Sequence, residues 1–194
     1  METIILATNN KGKVKELKDI LNGYEILSLK EAGIEIEVIE DKDTFEGNAI
    51  KKASEISKLT GKICIADDSG LCIDALNGFP GVKTARFLGE DATQDQRNNY
   101  IIEKMKGIKK ENRTAQSVTC IALVQPDGKQ KTFTGILKGY ISETRRGQNG
   151  FGYDDIFETE EGITLAEMDQ EEKNKISNRR KALDKLLNEL GGSL

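Results

Sequence analysis

Residues 65–71, Ile-Ala-Asp-Asp-Ser-Gly-Leu, bring two adjacent aspartates to the end of an apolar, strand-like run. Asp67 and Asp68 are costly to place together unless something positive sits between them. A divalent cation is the usual answer, with phosphate oxygens completing its shell. On this reading one carboxylate holds the metal and the other activates a water. Ser69 adds a hydroxyl donor and Gly70 permits close backbone approach. Asp-Ser-Gly is also turn chemistry, so an ordinary turn pair is the alternative. The chain has no histidine, which removes Ser-His-Asp hydrolysis, Cys-His chemistry and HExxH zinc sites. Any general base must be a carboxylate, a lysine, a tyrosine or a cysteine.

Four other segments suit a compact polyanion or a base. TNNKGK, Thr8–Lys13, lies between a strand and a helix, where free backbone amides bind anions. Thr8, Asn9, Asn10, Lys11 and Lys13 add donors there, although a capped turn uses the same residues. It is not a Walker loop, because neither GxxxxGK[ST] nor GxGxxG occurs in the chain. Glu40 ends a strand-like run, and Glu46, Asn48 and Lys51 open a helix. Glu46 and Asn48 also suit the helix terminus itself. Lys51 opposes the helix dipole, which a bound phosphate would offset. In GFGYD, residues 150–154, an extended backbone would send Phe151 and Tyr153 to opposite faces, one to stack on a purine and one to pack in the core. Two core aromatics would look the same. KNKISNRRK, residues 173–181, holds five basic residues and no acid around Ser177, a good N-cap. Basic side chains at a helix start run against its dipole, which favours a ligand.

Periodicity supplies the elements that must position these groups. Strands are expected over 3–8, 24–29, 34–39, 62–66 and 71–74. Helices are expected after a turn at Asn9-Asn10, with Val14, Leu17 and Leu21 at helical spacing, over 44–59 with Gly61 as terminator, and over 93–105, with a short one at 80–87. Residues 116–125 and 131–141 read as a β-hairpin around Pro126-Asp127-Gly128. Capping boxes are expected at Asp169–Glu172 and Thr164–Glu167, and a last helix over 177–190. Alternating helices and strands followed by a hairpin predict an α/β chain with a mixed sheet. The 194 residues suit one domain, with a hairpin lobe roughly over 113–142.

Net charge is −4, which argues against a nonspecific nucleic-acid binder. Residues 8–18 nevertheless carry four lysines against one glutamate. Solvated helix faces explain such runs equally well. Cys64, Cys72 and Cys120 form no CxxC pair and sit in apolar runs, so reduced core thiols and a cytoplasmic location are expected. The apolar part of METIILATNNK is short for a signal peptide, and no run suits a membrane span.

In order and spacing, LATNNKGKVKEL, TFEGNAIKKA, IADDSGLCIDALNGFPGVKTARF, GFGYDDIF and EEKNKISNRRKAL resemble the inosine triphosphate pyrophosphatase family, the dITP/XTP pyrophosphatases. The matching pieces run from residue 6 to residue 183. The resemblance implies a homodimer and an elongated mixed sheet with flanking helices, two lobes and a deep active-site cleft between them. It implies Mg²⁺-dependent hydrolysis of ITP, dITP and XTP to the monophosphate and pyrophosphate, which removes deaminated purines from the nucleotide pool. By position Asp68 matches the catalytic base, and Glu40 and Asp68 the metal-associated carboxylates. Thr8, Asn9, Asn10, Lys11, Gly12 and Lys13 match the triphosphate loop, and Ser69 a further substrate contact. Phe151, Gly152, Tyr153 and Asp154 match the base-side loop, and Lys173 a substrate-contacting lysine. The chemistry would be water attack at the α-phosphorus without a covalent intermediate.

One departure stands out. The family's Ser-His-Arg reads Ser177-Asn178-Arg179 here. Asn178 still donates an amide N–H to a 6-oxo purine but is neutral and shorter, so base discrimination is the property in question. Two competing readings are an enzyme acting on modified pyrimidines or standard dNTPs, and a nucleotide-sensing or RNA-binding module without hydrolysis. Asn178 and Arg179 argue against the first. The acidic pair and Glu40 argue against the second, because a polyanion binder gains nothing from carboxylates.

Overall fold

A computed structural model describes residues 3–21 and 24–191; the side chains of Lys11, Glu16, Asp19 and Ile20 lie outside the described part. The chain forms β1 (Thr3–Leu6), α1 (Lys11–Ile20), β2 (Glu25–Ser28), α2 (Phe45–Thr60), β3 (Ile63–Ile73), α3 (Gln94–Lys104), β4 (Thr114–Val124), β5 (Gln130–Ile141), β6 (Phe157–Glu158), α4 (Gln170–Ile176) and α5 (Asn178–Leu190). The six strands make one sheet in the order β2-β1-β3-β4-β5-β6. β1 pairs in parallel with β2 and β3, and β5 pairs antiparallel with β6, so the sheet is mixed as expected.

Contacts divide the chain into two compact units. The first is Met1–Asp68, Thr119–Gly135 and Lys181–Leu194; the second is Ser69–Val118 and Ile136–Arg180. The β4–β5 hairpin is therefore shared, its tip belonging to the first unit and its base to the second.

The first unit is built on the alternation of strand side chains. Ile4, Leu6, Ile63, Ile65, Ile121 and Leu123 share one core with Leu17 of α1 and with Ala182, Leu183, Leu186 and Leu190 of α5. Ile5, Ala7, Cys64, Ala66, Ala122 and Val124 share another with Ala49, Ala53 and Ile56 of α2. Successive residues point to opposite faces of a strand, so odd and even positions of β3 meet different helices. α2 has the expected ends: Thr44 Oγ1 accepts the Gly47 N–H, and Gly61 takes the left-handed conformation at φ 64°. The second unit packs Leu71, Ile73, Ile101, Met105, Leu137, Ile141, Phe157 and Leu165 together. Phe79, Phe87 and Tyr100 form an aromatic cluster there, with centroids 5.0 to 6.2 Å apart.

Several expectations need correction. Residues 62–66 and 71–74 are not separate strands, because β3 runs unbroken through Asp67-Asp68-Ser69-Gly70. The alternating 34–39 segment is no strand; Ile34 and Val38 pack against the core on the α2 side, while Ile36 and Ile39 are exposed. The 80–87 helix shrinks to a 3₁₀ turn at Gly81–Lys83. At Thr164 the Glu167 carboxylate does accept the Thr164 N–H at 2.7 Å, but a turn follows instead of a helix. The box at Asp169 and Glu172 is complete and opens α4.

Glu31 ties the turn after β2 to α1. Lys18 Nζ lies 2.7 Å from both of its oxygens, and the Ser28 N–H and hydroxyl each donate to Oε2 at 2.8 Å. The Lys18 ammonium first, then the Ser28 donors, lower the Glu31 carboxyl from 4.5 to about 2. A carboxyl lowered on folding stabilises the native state above its unfolded value and loses that contribution as pH falls through the folded one. Glu31→Gln should therefore lower the urea midpoint at neutral pH, and the gap to the parent should close between pH 4.5 and about 2. A gap still undiminished at the acid end of that window defeats the assignment.

Candidate active site

The alternation of β3 decides what the two aspartates do. Asp67 continues the odd series of Ile63 and Ile65 toward the α1 side, and Asp68 the even series of Cys64 and Ala66 toward α2. They do not share a counter-charge at a strand end; each finds its own. Lys13 Nζ sits 2.7 Å from Asp67 Oδ2, whose side chain is 1% exposed. Asn48 Nδ2 donates to Asp68 Oδ2 at 3.0 Å, and the Lys42 N–H donates to Asn48 Oδ1 at 2.9 Å, which fixes the amide's orientation.

Lys52 joins the acidic groups. Its ammonium donates to Glu40 Oε1 at 2.5 Å and to the Asp67 carbonyl at 2.7 Å, and lies 4.0 Å from Asp68 Oδ1. Glu40 and Asp68, expected to work together, thus stand around one ammonium. Burial pushes the Asp68 carboxyl above its ordinary value; Lys52 pulls it down, Glu40 pushes it up, and Asn48 and Lys13 pull it down more weakly. The structure brings Lys52 rather than Lys51 to this cluster. Lys51 pairs with Asp41 at 2.9 Å and lies 3.9 Å from Glu55. Sequence reasoning left Asn48 between a ligand role and the helix terminus and passed over Lys52. One step along a helix turns a side chain by about 100°, and only the packing of α2 on β3 shows which lysine faces inward.

The Thr8–Lys13 segment is locally organised. Thr8 Oγ1 accepts the Asn10 N–H at 3.2 Å, and Asn10 Oδ1 accepts the N–H groups of Gly12 and Lys13 at 3.0 and 3.2 Å. Asn10 is the N-cap of α1, so its oxygen is occupied and only its amide nitrogen can reach outward. Asn9 and Gly12 are exposed. The expected role of the Lys11 side chain falls outside the described residues.

The two cluster carboxylates suit Mg²⁺ in their donor type. Magnesium keeps several waters and takes one or two carboxylates plus substrate phosphates, and needs no protein cage. Among the described residues no three His, Cys, Asp or Glu side chains converge as such a cage.

The second unit holds the remaining candidates. Ser69 is half-buried in β3. Asp154 Oδ2 accepts the Phe151 N–H at 2.7 Å and is paired with Lys173, whose ammonium lies 4.6 Å from the Phe151 ring centroid. Phe151 is 56% exposed. Tyr153 turns inward and donates its hydroxyl to the Thr84 carbonyl at 2.5 Å, while Phe151 faces out, although the segment is a turn and not extended. Gly152 is at φ 68°, and a Cβ on Gly150 would lie 2.1 Å from Asp154 Oδ2. Ser177 Oγ accepts the Arg180 N–H at 3.0 Å and caps α5. Asn178 is half-buried beside buried Arg179.

Comparison with known proteins adds the following. A model of the Ham1 family matches residues 4–189. The chain is 47% identical over 189 residues to the dITP/XTP pyrophosphatase of Bacillus subtilis, with 96% of each covered. It is 45% identical over 194 residues to that of Geobacter sulfurreducens, with 98% of each covered. Among solved structures it resembles a HAM1 protein from Coxiella burnetii, at TM-score 0.93, 37% identity and 100% coverage of both chains. It also resembles the Staphylococcus aureus Ham1 protein, at TM-score 0.92 and 38% identity, over 98% of this chain and 99% of that one.

The difference between the adjacent lysines is measurable as stability. Lys52→Met strands partly buried carboxylates and should cost about 3 kcal/mol in urea unfolding at neutral pH. Lys51→Met breaks a more exposed pair and should change it by less than about 0.5 kcal/mol. Equal effects would remove Lys52 from the centre of the cluster.

Proposed function

The chain belongs to the Ham1 family, and from that premise we propose that it hydrolyses ITP, dITP and XTP to the monophosphate and pyrophosphate. The observation that carries this reading is the cluster of Asp68 on β3, Asn48 and Lys52 on α2 and Glu40 in the segment before α2, with Lys13 and Asp67 on the opposite face of the strand. Such a cluster offers acidic oxygens to a metal and a water, and ammonium groups to phosphate oxygens.

In this reading Asp68 orients and deprotonates the attacking water, and its raised pKa makes it a better base than an exposed carboxylate. Glu40 and Asp68 would hold Mg²⁺, which when bound takes up charge on the phosphates. Lys13 and Lys52 turn their ammonium groups to the phosphate oxygens, and Thr8, Asn9, Asn10, Lys11 and Gly12 supply further donors. Ser69 adds a hydroxyl. Phe151, with Gly152, Tyr153 and Asp154, forms the base-side loop, and Lys173, Ser177, Asn178 and Arg179 complete substrate recognition. Asn178 retains a donor for the 6-oxo group, so the preference over 6-amino purines is kept while its size changes. The same reading carries a homodimer and a cytoplasmic location. Among the described residues, no helix is long and apolar enough to cross a membrane.

The test is pyrophosphate release from ITP, dITP, XTP, dATP, dGTP and dTTP with Mg²⁺, beside Asp68→Asn. Release should be fastest from ITP and XTP, and the variant should lose roughly 100-fold or more. Equal rates across the bases would mean that Asn178 no longer discriminates. No release from any of them would favour a binding module. A dATP preference of about 100-fold over dITP would refute the 6-oxo assignment.

A further inference from the structure

Asn98, on the second turn of α3, is 1% exposed and uses its whole amide. Both bonds donated by Nδ2 go to the 150–155 segment, to the Gly152 carbonyl at 2.9 Å and to Asp155 Oδ1 at 2.6 Å. Its oxygen accepts from Gln94 Nε2 at 2.8 Å. A side-chain amide has two chemically different ends, and the Gly152 carbonyl and Asp155 carboxylate, which only accept, settle that the NH₂ end faces the loop. Asp155 is held on its other oxygen by Arg145 Nε at 2.5 Å, and Arg145 Nη2 also reaches Asp95 Oδ1 of α3 at 2.5 Å.

The loop needs such a hold. Gly150 and Gly152 are both at positive φ, a conformation glycine adopts freely and abandons as freely. Asp154 fixes the Phe151 N–H from within the loop, and Asn98 anchors the Gly152 carbonyl from outside it. That carbonyl belongs to the Gly152–Tyr153 peptide, one residue beyond Phe151, so holding it restrains the turn that carries the exposed ring.

We propose that Asn98, oriented by Gln94, is a positioning residue that fixes the Gly152 peptide so that Phe151 meets the base of the bound nucleotide. The proposal rests on the reading of residues 151–154 as the base-side loop. It makes Asn98 important for the nucleoside end of the ligand and indifferent to the phosphate end, whose residues lie on β3, α1 and α2.

The two ends can be titrated separately. Calorimetric binding of inosine monophosphate and of inorganic pyrophosphate, each with Mg²⁺, would be measured for the parent, Asn98→Ala and Gln94→Ala. Gln94 is only half-buried, so its variant keeps the test valid should Asn98→Ala fold poorly. Affinity for the monophosphate should fall about tenfold in both variants. Pyrophosphate affinity should stay within about twofold. Unchanged monophosphate affinity in the well-folded variant overturns the proposal, and so does an equal fall for both ligands, which marks a merely structural role. A parent that releases pyrophosphate from ITP but binds no inosine monophosphate sinks the base-side reading. A parent that does neither sinks the proposed function, and the proposal with it.

Discussion

The buried charge on β3 is the constraint around which the first unit is arranged. A carboxylate removed from water is expensive unless a cation or strong donors meet it. Because β3 stays extended through Asp67 and Asp68, its alternation sends one carboxylate to each side of the sheet. Each side must then carry its own compensation. α1 supplies Lys13 to one, and α2 supplies Asn48 and Lys52 to the other. The apolar stretch before them, Ile63 to Ala66, obeys the same alternation and buries its side chains against the same helices. One backbone rule thus builds the two cores and places the two acids.

The second unit solves a different problem, which is to hold a glycine-rich loop without making it rigid by sequence. Its restraints come from outside the segment: Asn98 on the Gly152 carbonyl, Arg145 and Asn98 on Asp155, and Tyr153 reaching the Thr84 carbonyl. Asp154 does the remaining work from inside, with Lys173 against it. The exposed Phe151 ring is left over from this arrangement as the surface the loop presents.

Features with local causes were legible in the sequence. Thr44 and Gly61 bracket α2, and Asp169 with Glu172 opens α4, because capping involves residues three or four apart. The β4–β5 hairpin followed from its turn residues, and its Gly128 N–H does bond to the Gln125 carbonyl at 2.9 Å. Features with tertiary causes were not. Asp-Asp-Ser-Gly has turn composition, yet it lies inside β3, which continues to Ile73 beside β4 after its pairing with β1 ends at Ile65, and its place in the sheet overrides that preference. The alternating 34–39 run has the right period and no sheet to join. Lys51 and Lys52 are chemically identical, so composition cannot choose between them. Asn98 sits in a polar helix whose sequence reads as solvent-facing, and nothing local announces that its amide is buried.

The extended course of β3 also ranks the kinds of genetic change this chain can absorb. Most substitutions along Ile63–Ala66 would alter packing on one face and leave the other face as it was. Losing or gaining a single codon there is different in kind. It would exchange the sides of the two aspartates, leaving Lys13 opposite the wrong carboxylate and Asn48 opposite the other, while the amino-acid composition of the site hardly changed. For this strand, register along the sheet carries information in its own right, separate from the identity of any residue on it.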